Sequence, residues 1–282
     1  MFGWKVWDYM QQFSVTPRGM LANFWSCRSL IQALIKREVM GRYRGSMMGV
    51  LWSFFHPLFM LFVYAFVFGG VFKAHTMVGY SKNKSEFFLV LFIGLLVFNL
   101  FSECLNRAPN LMVVNQNFVK KVAFPLDIIS WVSVGAALFH LLIGLCAWLL
   151  FYLVEIGLPH RSMLLFPLAL APLLLMIVGI SWILSSLGVF LRDISHLTGL
   201  LSTGLMFLSP VFYPLSSLPL LWQHILLFNP ITIPLETMRS ILFASRPPDW
   251  PLLLCYSACS VFMICLGFFW FQTLRKGFAD VL

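Results

Sequence analysis

The chain is poor in charge. Asp, Glu, Lys and Arg make up 10% of its 282 residues, against about 25% in an ordinary soluble domain, and 60% are hydrophobic. Ser162–Leu191, Ile128–Val154 and Leu252–Leu274 contain none of the four. A soluble globular domain is thereby excluded, because no single core could enclose so much apolar side chain. A helix needs about 20 apolar residues to cross the hydrocarbon of a bilayer, so runs of this length are read as spans. In lipid only helices and closed barrels satisfy their backbone groups, and the alternation of barrel strands is missing. The chain reads as an all-α polytopic membrane protein.

Other absences narrow the function. The six cysteines, Cys27, Cys104, Cys146, Cys255, Cys259 and Cys265, form no C-x-x-C pair. They are read as small buried hydrophobes rather than as metal or redox groups. No G-x-x-x-x-G-K-[ST] loop is present, so the chain has no such cradle for ATP phosphates and any ATP-driven work must come from a partner. No D-x-D and no paired carboxylates occur, and no cofactor or metal is expected on this chain. The first 25 residues carry Asp8, Gln11, Gln12, Pro17 and Arg18. Without a continuous apolar core they do not read as a cleaved signal, and the N-terminus is expected in the cytosol.

Six spans are expected: Met48–Phe72 with Pro57 inside it, Phe87–Cys104, Ile128–Val154, Met163–Leu191, His196–Tyr213 and Leu252–Leu274. Before them, Phe24–Ile35 reads as one amphipathic helix. Phe24, Cys27, Leu30, Ile31, Leu34 and Ile35 fall on one face, while Gln32, Lys36 and Arg37 lie off it. Such a helix either packs on protein or lies in the membrane interface with its cations near anionic lipid. The second is favoured because a span follows at once. Between spans five and six, Pro210–Pro251 holds eight of the fifteen prolines and is nevertheless apolar. Irregular apolar backbone is tolerated at membrane depth only inside protein or beside a wet cavity, so short re-entrant helices are expected there. With both termini inside, thirteen of the nineteen Lys and Arg lie on cytosolic segments and six outside. That bias sets the orientation. It also gives the net charge of +9 a meaning that requires no nucleic acid.

The strongest local pattern is Lys36-Arg37-Glu38-Val39-Met40-Gly41-Arg42-Tyr43-Arg44-Gly45-Ser46, then Gly49-Val50-Leu51-Trp52-Ser53 and Pro57. A basic helix reaches the membrane, turns at glycine and enters the first span past Trp52, a residue suited to the headgroup zone. This string resembles the opening of type-2 ABC exporter permeases that move O-antigen, capsular polysaccharide or teichoic acid, with Met48 where leucine is common in that family. Further likenesses follow in order. Asn115, Lys120, Lys121, Phe124 and Pro125 resemble the loop between spans two and three. Leu191-Arg192-Asp193-Ile194 resembles the turn after span four. Ser209-Pro210-Val211-Phe212-Tyr213-Pro214, then Asn229-Pro230 with Glu236 and Arg239, resemble the exit from span five and the re-entrant region.

The resemblance implies a homodimer in a bacterial inner membrane, each subunit giving six helices to a channel. Two separate ATP-binding-cassette subunits would dock on the cytosolic face, and the substrate would be a lipid-linked glycan. It divides the chain into a cytosolic N-terminus (1–47), the transmembrane domain (48–274) and a cytosolic tail (275–282). Arg42, Tyr43, Arg44, Gly45, Ser46 and Trp52 become the membrane-approach motif. Asn115, Lys120, Lys121, Arg192 and Asp193 become the residues that press on the ATPase.

Aromatic side chains are abundant, with 30 Phe, 10 Trp and 7 Tyr. In the first span Phe55, Phe59, Phe62 and Phe66 form one helical stripe, and Tyr64, Phe68 and Phe72 another. Either packing or a sugar path accounts for such stripes. With the family in view, Phe59, Tyr64, Phe68, Phe207 and Tyr213 are the expected path. His56, Glu103 and His140 are the titratable groups at depth, with Glu103 and Arg107 spaced for an ion pair. Two alternatives stand beside the polysaccharide permease: a type-2 exporter of a drug, lipid or other small amphiphile, and a polytopic glycosyltransferase or ligase. The second would need gathered acid–base residues.

Overall fold

Residues 16–64, 66–67, 84–120, 124–243 and 247–282 are described in the computed structural model. Ten principal helices are found among them: α1 Pro17–Ser26, α2 Arg28–Arg42, α3 Trp52–Tyr64, α4 Lys84–Arg107, α5 Ile128–Glu155, α6 Phe166–Phe190, α7 Ile194–Leu208, α8 Leu220–Leu227, α9 Thr232–Leu242 and α10 Trp250–Leu274. No strand occurs among the described residues. Local sequence fixes several ends. Thr16 Oγ1 accepts from the Gly19 amide at 3.3 Å with Pro17 at the first helical position. Asp249 Oδ1 accepts from the Leu252 amide at 3.4 Å ahead of α10. Both are N-caps that satisfy an amide the helix leaves open.

Among the described residues, four stretches are long and apolar enough to cross a membrane: Glu86–Val114, Ile128–Glu155, Arg161–Phe190 and Trp250–Gly277. With 28 to 30 residues each, they extend about 42–45 Å at 1.5 Å per residue, well beyond a hydrocarbon core of about 30 Å. The excess lets their ends stand in headgroups or water. α4 is the central element. Buried residues make up 78% of its apolar window, against 33% to 44% for the other three. It packs on α5, α6, α7 and α3, while α6 and α10 make the most extensive helix pair. Glycine explains that pair: a Cβ on Gly267 would lie 2.2 Å from the Gly179 carbonyl oxygen, and one on Gly179 would lie 2.6 Å from that of Met263. The two backbones touch, as small residues allow in membrane bundles.

The structure corrects several boundaries. The amphipathic stretch Phe24–Ile35 is not one helix. It breaks at Cys27 (φ −93°, ψ 8°), where Asn23 gathers bonds from the Ser26 hydroxyl, the Cys27 amide and the Cys27 thiol. The apolar stripe of α2 is covered by protein, with Ile31 and Leu34 buried against Ile128 and Val132 of α5. The expected fifth span stops at Leu208 rather than Tyr213, since Ser209 is extended (φ −89°, ψ 146°) before Pro210, as the residue preceding a proline prefers. α7 therefore has 15 residues and covers about 22 Å. The segment after α4, expected as a loop, is wound into short turns at Ala108–Asn110, Leu111–Val114 and Gln116–Val119, with Pro109, Leu111, Met112 and Val119 buried. Packing against α6 drives this, because the Pro109 carbonyl sits where a Cβ on Gly188 would be, 2.0 Å away.

Candidate functional site at the membrane-approach turn

Between α2 and α3 the chain reverses through Tyr43–Leu51. Gly45 (φ +86°) and Gly49 (φ +53°) take left-handed backbone there, which explains why glycine stands at both positions. The turn brings Arg42 and Tyr43 to the mouth of a cleft of about 490 Å³ between α3, α4 and α5. Its walls are mostly apolar, with Pro57 and Met60 on one side and Phe92, Leu96 and Leu141 on the other, while Asn99 and Ser102 of α4 add polar groups. Trp52, half exposed, and buried Ser53 close one edge. Pro57 lies inside α3, so no proline N–H reaches the Ser53 carbonyl.

A charge network rims the mouth. Glu103 Oε1 accepts from Arg42 and, at 3.4 Å, from Arg107 Nη1, and Arg107 in turn pairs with Glu38. His140 Nδ1 lies 3.3 Å from Arg42 Nη1 and 3.8 Å from Glu103 Oε2. The expected Glu103–Arg107 pair is thus one edge of a larger set. Glu38, which the sequence did not single out, completes it. Two acids and two arginines cancel and join α2 to α4, and His140 adds α5. Burial pushes the Tyr43 phenol above its ordinary value, while neighbouring Arg42 and a hydrogen bond with Ser53 oppose that shift. Substituting Glu103 with Gln leaves the arginines facing each other with Glu38 as their only acid. The expected loss is about 2 kcal/mol, between an exposed pair and a buried one. It should be read as a lower melting temperature in detergent and a flatter salt dependence. Equal melting at low and high salt in both proteins would show that the network does not hold the helices.

The other expected residues fall in three places. Arg44 and Ser46 are exposed in the turn. Asn115, half-buried, bonds its side-chain amide to the Leu111 carbonyl at 2.9 Å, and Lys120 is exposed at the end of Gln116–Val119. Arg192 and Asp193 are exposed between α6 and α7. Because the turns after α4 pack on α6, these groups occupy one end of the bundle, beside exposed Val114 and Leu191. Lys121 lies outside the described residues. So do Phe68, Phe72 and the side chains of His56 and Tyr64. Phe55, Phe59, Phe62 and Phe66 are each exposed by 47% to 67%, as is Phe207 at 63%. Tyr213 turns its hydroxyl back onto the Phe207 carbonyl at 3.1 Å, so that group closes the end of α7.

Residues 29–243 match the model of the ABC-2 type transporter family. The chain belongs to the ABC-2 type transporter family. Its ABC-2 region runs from α2 through α9, so it contains the cleft, the charge network, the α6–α7 turn and the re-folded segment before α10. Similar proteins of known description cover 74% to 93% of the chain. One is the O-antigen export system permease protein RfbA of Myxococcus xanthus, 27% identical over 263 residues, 93% of this chain and 98% of that protein. Another is the protein of the same name from Klebsiella pneumoniae, 24% identical over 90% of this chain and 95% of its own. The polysialic acid transport protein KpsM of Escherichia coli is 25% identical over 74% of this chain and 79% of its own.

Two buried sites in this ABC-2 fold escaped the sequence reading in whole or part. Arg239, noted only as part of a motif, is fully buried and donates to the carbonyls of Pro210 and, at 2.6 Å, Val211. Asp127, next to a charge-free run, is 3% exposed. Desolvation raises its carboxyl above the usual range, opposed by Asn23 and Arg275. An acid or cation at the boundary of an apolar run was the available signal.

Proposed function

We propose that this chain is the permease subunit of an ATP-driven exporter that carries a lipid-linked polysaccharide, O-antigen first among candidates, from the cytosol across the bacterial inner membrane. The observation that carries this reading is the match to two O-antigen export permeases over at least nine-tenths of both partners. A polar mouth leading into an apolar cleft suits an amphiphile whose head is charged and whose anchor is hydrocarbon.

The working unit in this proposal is a homodimer with six spans per subunit and both termini cytosolic. α3 belongs to span one, and α7, Ile194–Leu208, forms span five. α8 and α9 are the re-entrant helices on the outer side. α3 and α7 both flank α4 and expose aromatic faces through Phe59 and Phe207. Two copies facing each other would line a bore with flat rings, which contact sugar C–H groups weakly enough for a polymer to slide. Two ATPase subunits would press on the end that carries Asn115, Lys120, Arg192 and Asp193, and exposed Val114 and Leu191 give that surface an apolar centre.

Deleting the gene should strip O-antigen from the cell surface while the lipid-linked glycan accumulates inside. Normal surface glycan together with a lost tolerance to an amphiphile would favour the small-substrate exporter instead. In the purified permease–ATPase complex, replacing Arg192 and Asp193 with Ala should leave hydrolysis running and cut glycan exported per ATP severalfold. Unchanged coupling would remove that end of the bundle from the motor interface.

A further inference from the structure

A buried cluster lies behind the surface just described. Asp127 immediately precedes α5, and Asn23 Nδ2 of α1 donates to its Oδ2 at 2.5 Å. Its backbone carbonyl accepts from the Trp182 indole of α6 at 3.0 Å. Its Oδ1 faces Arg275 Nη1 at 4.0 Å, with both side chains less than a tenth exposed. Arg275, at the end of α10, donates through Nη2 to the Phe124 carbonyl at 2.7 Å. The Phe124 ring stacks on Phe118 at 4.3 Å between centroids, and Phe118 belongs to the turn Gln116–Val119 beside Lys120. An unbroken series of contacts therefore runs from the exposed segment Asn115–Lys120 through Phe118, Phe124 and Arg275 to Asp127. From there it reaches the ends of α1, α5 and α10 and the middle of α6.

We propose that Asp127 and Arg275 are positioning residues for export, bolting the motor-facing segment to α5, α6 and α10 so that its displacement moves these helices as one body. This rests on the proposed docking of an ATPase at that segment. Stability alone does not require charge here, since a buried ion pair is often no better than a well-packed apolar one. A fork from Arg275 that holds a loop carbonyl while facing a carboxylate has directionality that an apolar contact lacks. Trp182 adds stiffness, with its ring 6.0 Å from Trp131 and 5.3 Å from Phe268. A packed joint of this kind has discrete arrangements and does not deform continuously.

The test uses the full permease–ATPase complex and three variants: Asp127→Asn, Arg275→Gln and the two combined. Asp127→Asn keeps an acceptor for Asn23 but leaves buried Arg275 without the carboxylate it faces, so abundance should fall while the protein that accumulates still binds the ATPase. Exported glycan per ATP should nevertheless fall about fivefold to tenfold, a coupling change of the size seen when such networks are altered. Arg275→Gln should do the same with lower abundance. The combined variant decides the matter: abundance should recover, because no lone buried charge remains, whereas export per ATP should stay low. Recovery of both would make the pair structural and overturn the proposal, as would wild-type coupling in Asp127→Asn. The Arg192 and Asp193 variants serve as the control for docking. If they too couple normally, the docking reading fails and takes this inference with it. If they uncouple while Asp127→Asn does not, only the inference fails.

Discussion

Replacing Gly267 with valine should leave almost no folded protein in the membrane. At this position even a Cβ would lie 2.2 Å from the Gly179 carbonyl oxygen and 2.9 Å from its Cα. Neither is the far end of a flexible side chain, so the only relief is to separate α6 from α10 by an ångström or more. Their contact is the most extensive between any two helices described, and a gap of that size forfeits a large share of the dispersion attraction along it. In a bilayer no hydrophobic gain between helices makes up the loss. Alanine at Gly267 should already cost about 3 kcal/mol, the upper range for overpacking. Gly179→Ala should cost nearly as much, because its Cβ would lie 2.6 Å from the Met263 carbonyl. Combined, the two should cost clearly less than their sum, since helices already pushed apart by one methyl have room for the other. Membrane abundance and thermal unfolding in detergent measure this. A Gly267→Ala protein that melts with the wild type would refute the crossing.

The four long apolar helices were legible because lipid imposes a single-helix signal: a long run without charge reads as a span, whatever it packs on. Helix pairing carries no such signal. Gly179 and Gly267 are unremarkable in their own segments, and only the crossing gives them a reason. The same holds for Asp127 and Arg275, far apart in sequence and each readable only as a charge near the end of a run. The site was half legible. Arg42 and Tyr43 stand in the membrane-approach motif and Glu103 and Arg107 are spaced for an ion pair, whereas Glu38 has no legible role because its partner belongs to another helix. One error was avoidable: Ser209 before Pro210 is a stop signal, and carrying span five to Tyr213 gave hydropathy precedence over backbone sterics. The amphipathic stripe of α2 could not be decided from sequence, because protein and lipid interface are equally apolar partners. Packing on Ile128 and Val132 decided it.

Arg239 should prove the least replaceable residue around the turn that ends α7. Its guanidinium is fully buried, donates to the carbonyls of Pro210 and Val211, and lies 3.4 Å from Glu236 Oε1. Those carbonyls belong to the turn that ends α7, where Ser209 is held in turn by Asn229 Nδ2 at 2.9 Å. Leucine at position 239 would take the donor from two buried carbonyls. At about 1–3 kcal/mol for each unsatisfied group, the sum reaches the lower end of the stability of a typical domain. Lysine would keep the charge, but a point donor on a flexible stem cannot hold two neighbouring carbonyls in a fixed fork, so partial accumulation is expected. Gly94 supplies an internal check. A methyl there would lie 3.0 Å from Arg239 Nη2, tight enough to push the fork without removing it. Gly94→Ala should therefore weaken the wild type measurably and be nearly neutral once Arg239 is leucine, where the crowded atom is gone. Equal penalties in both backgrounds would mean that the methyl clashes with something else. In that case Arg239 would fill space at the end of α7 and would not hold the exit turn in place.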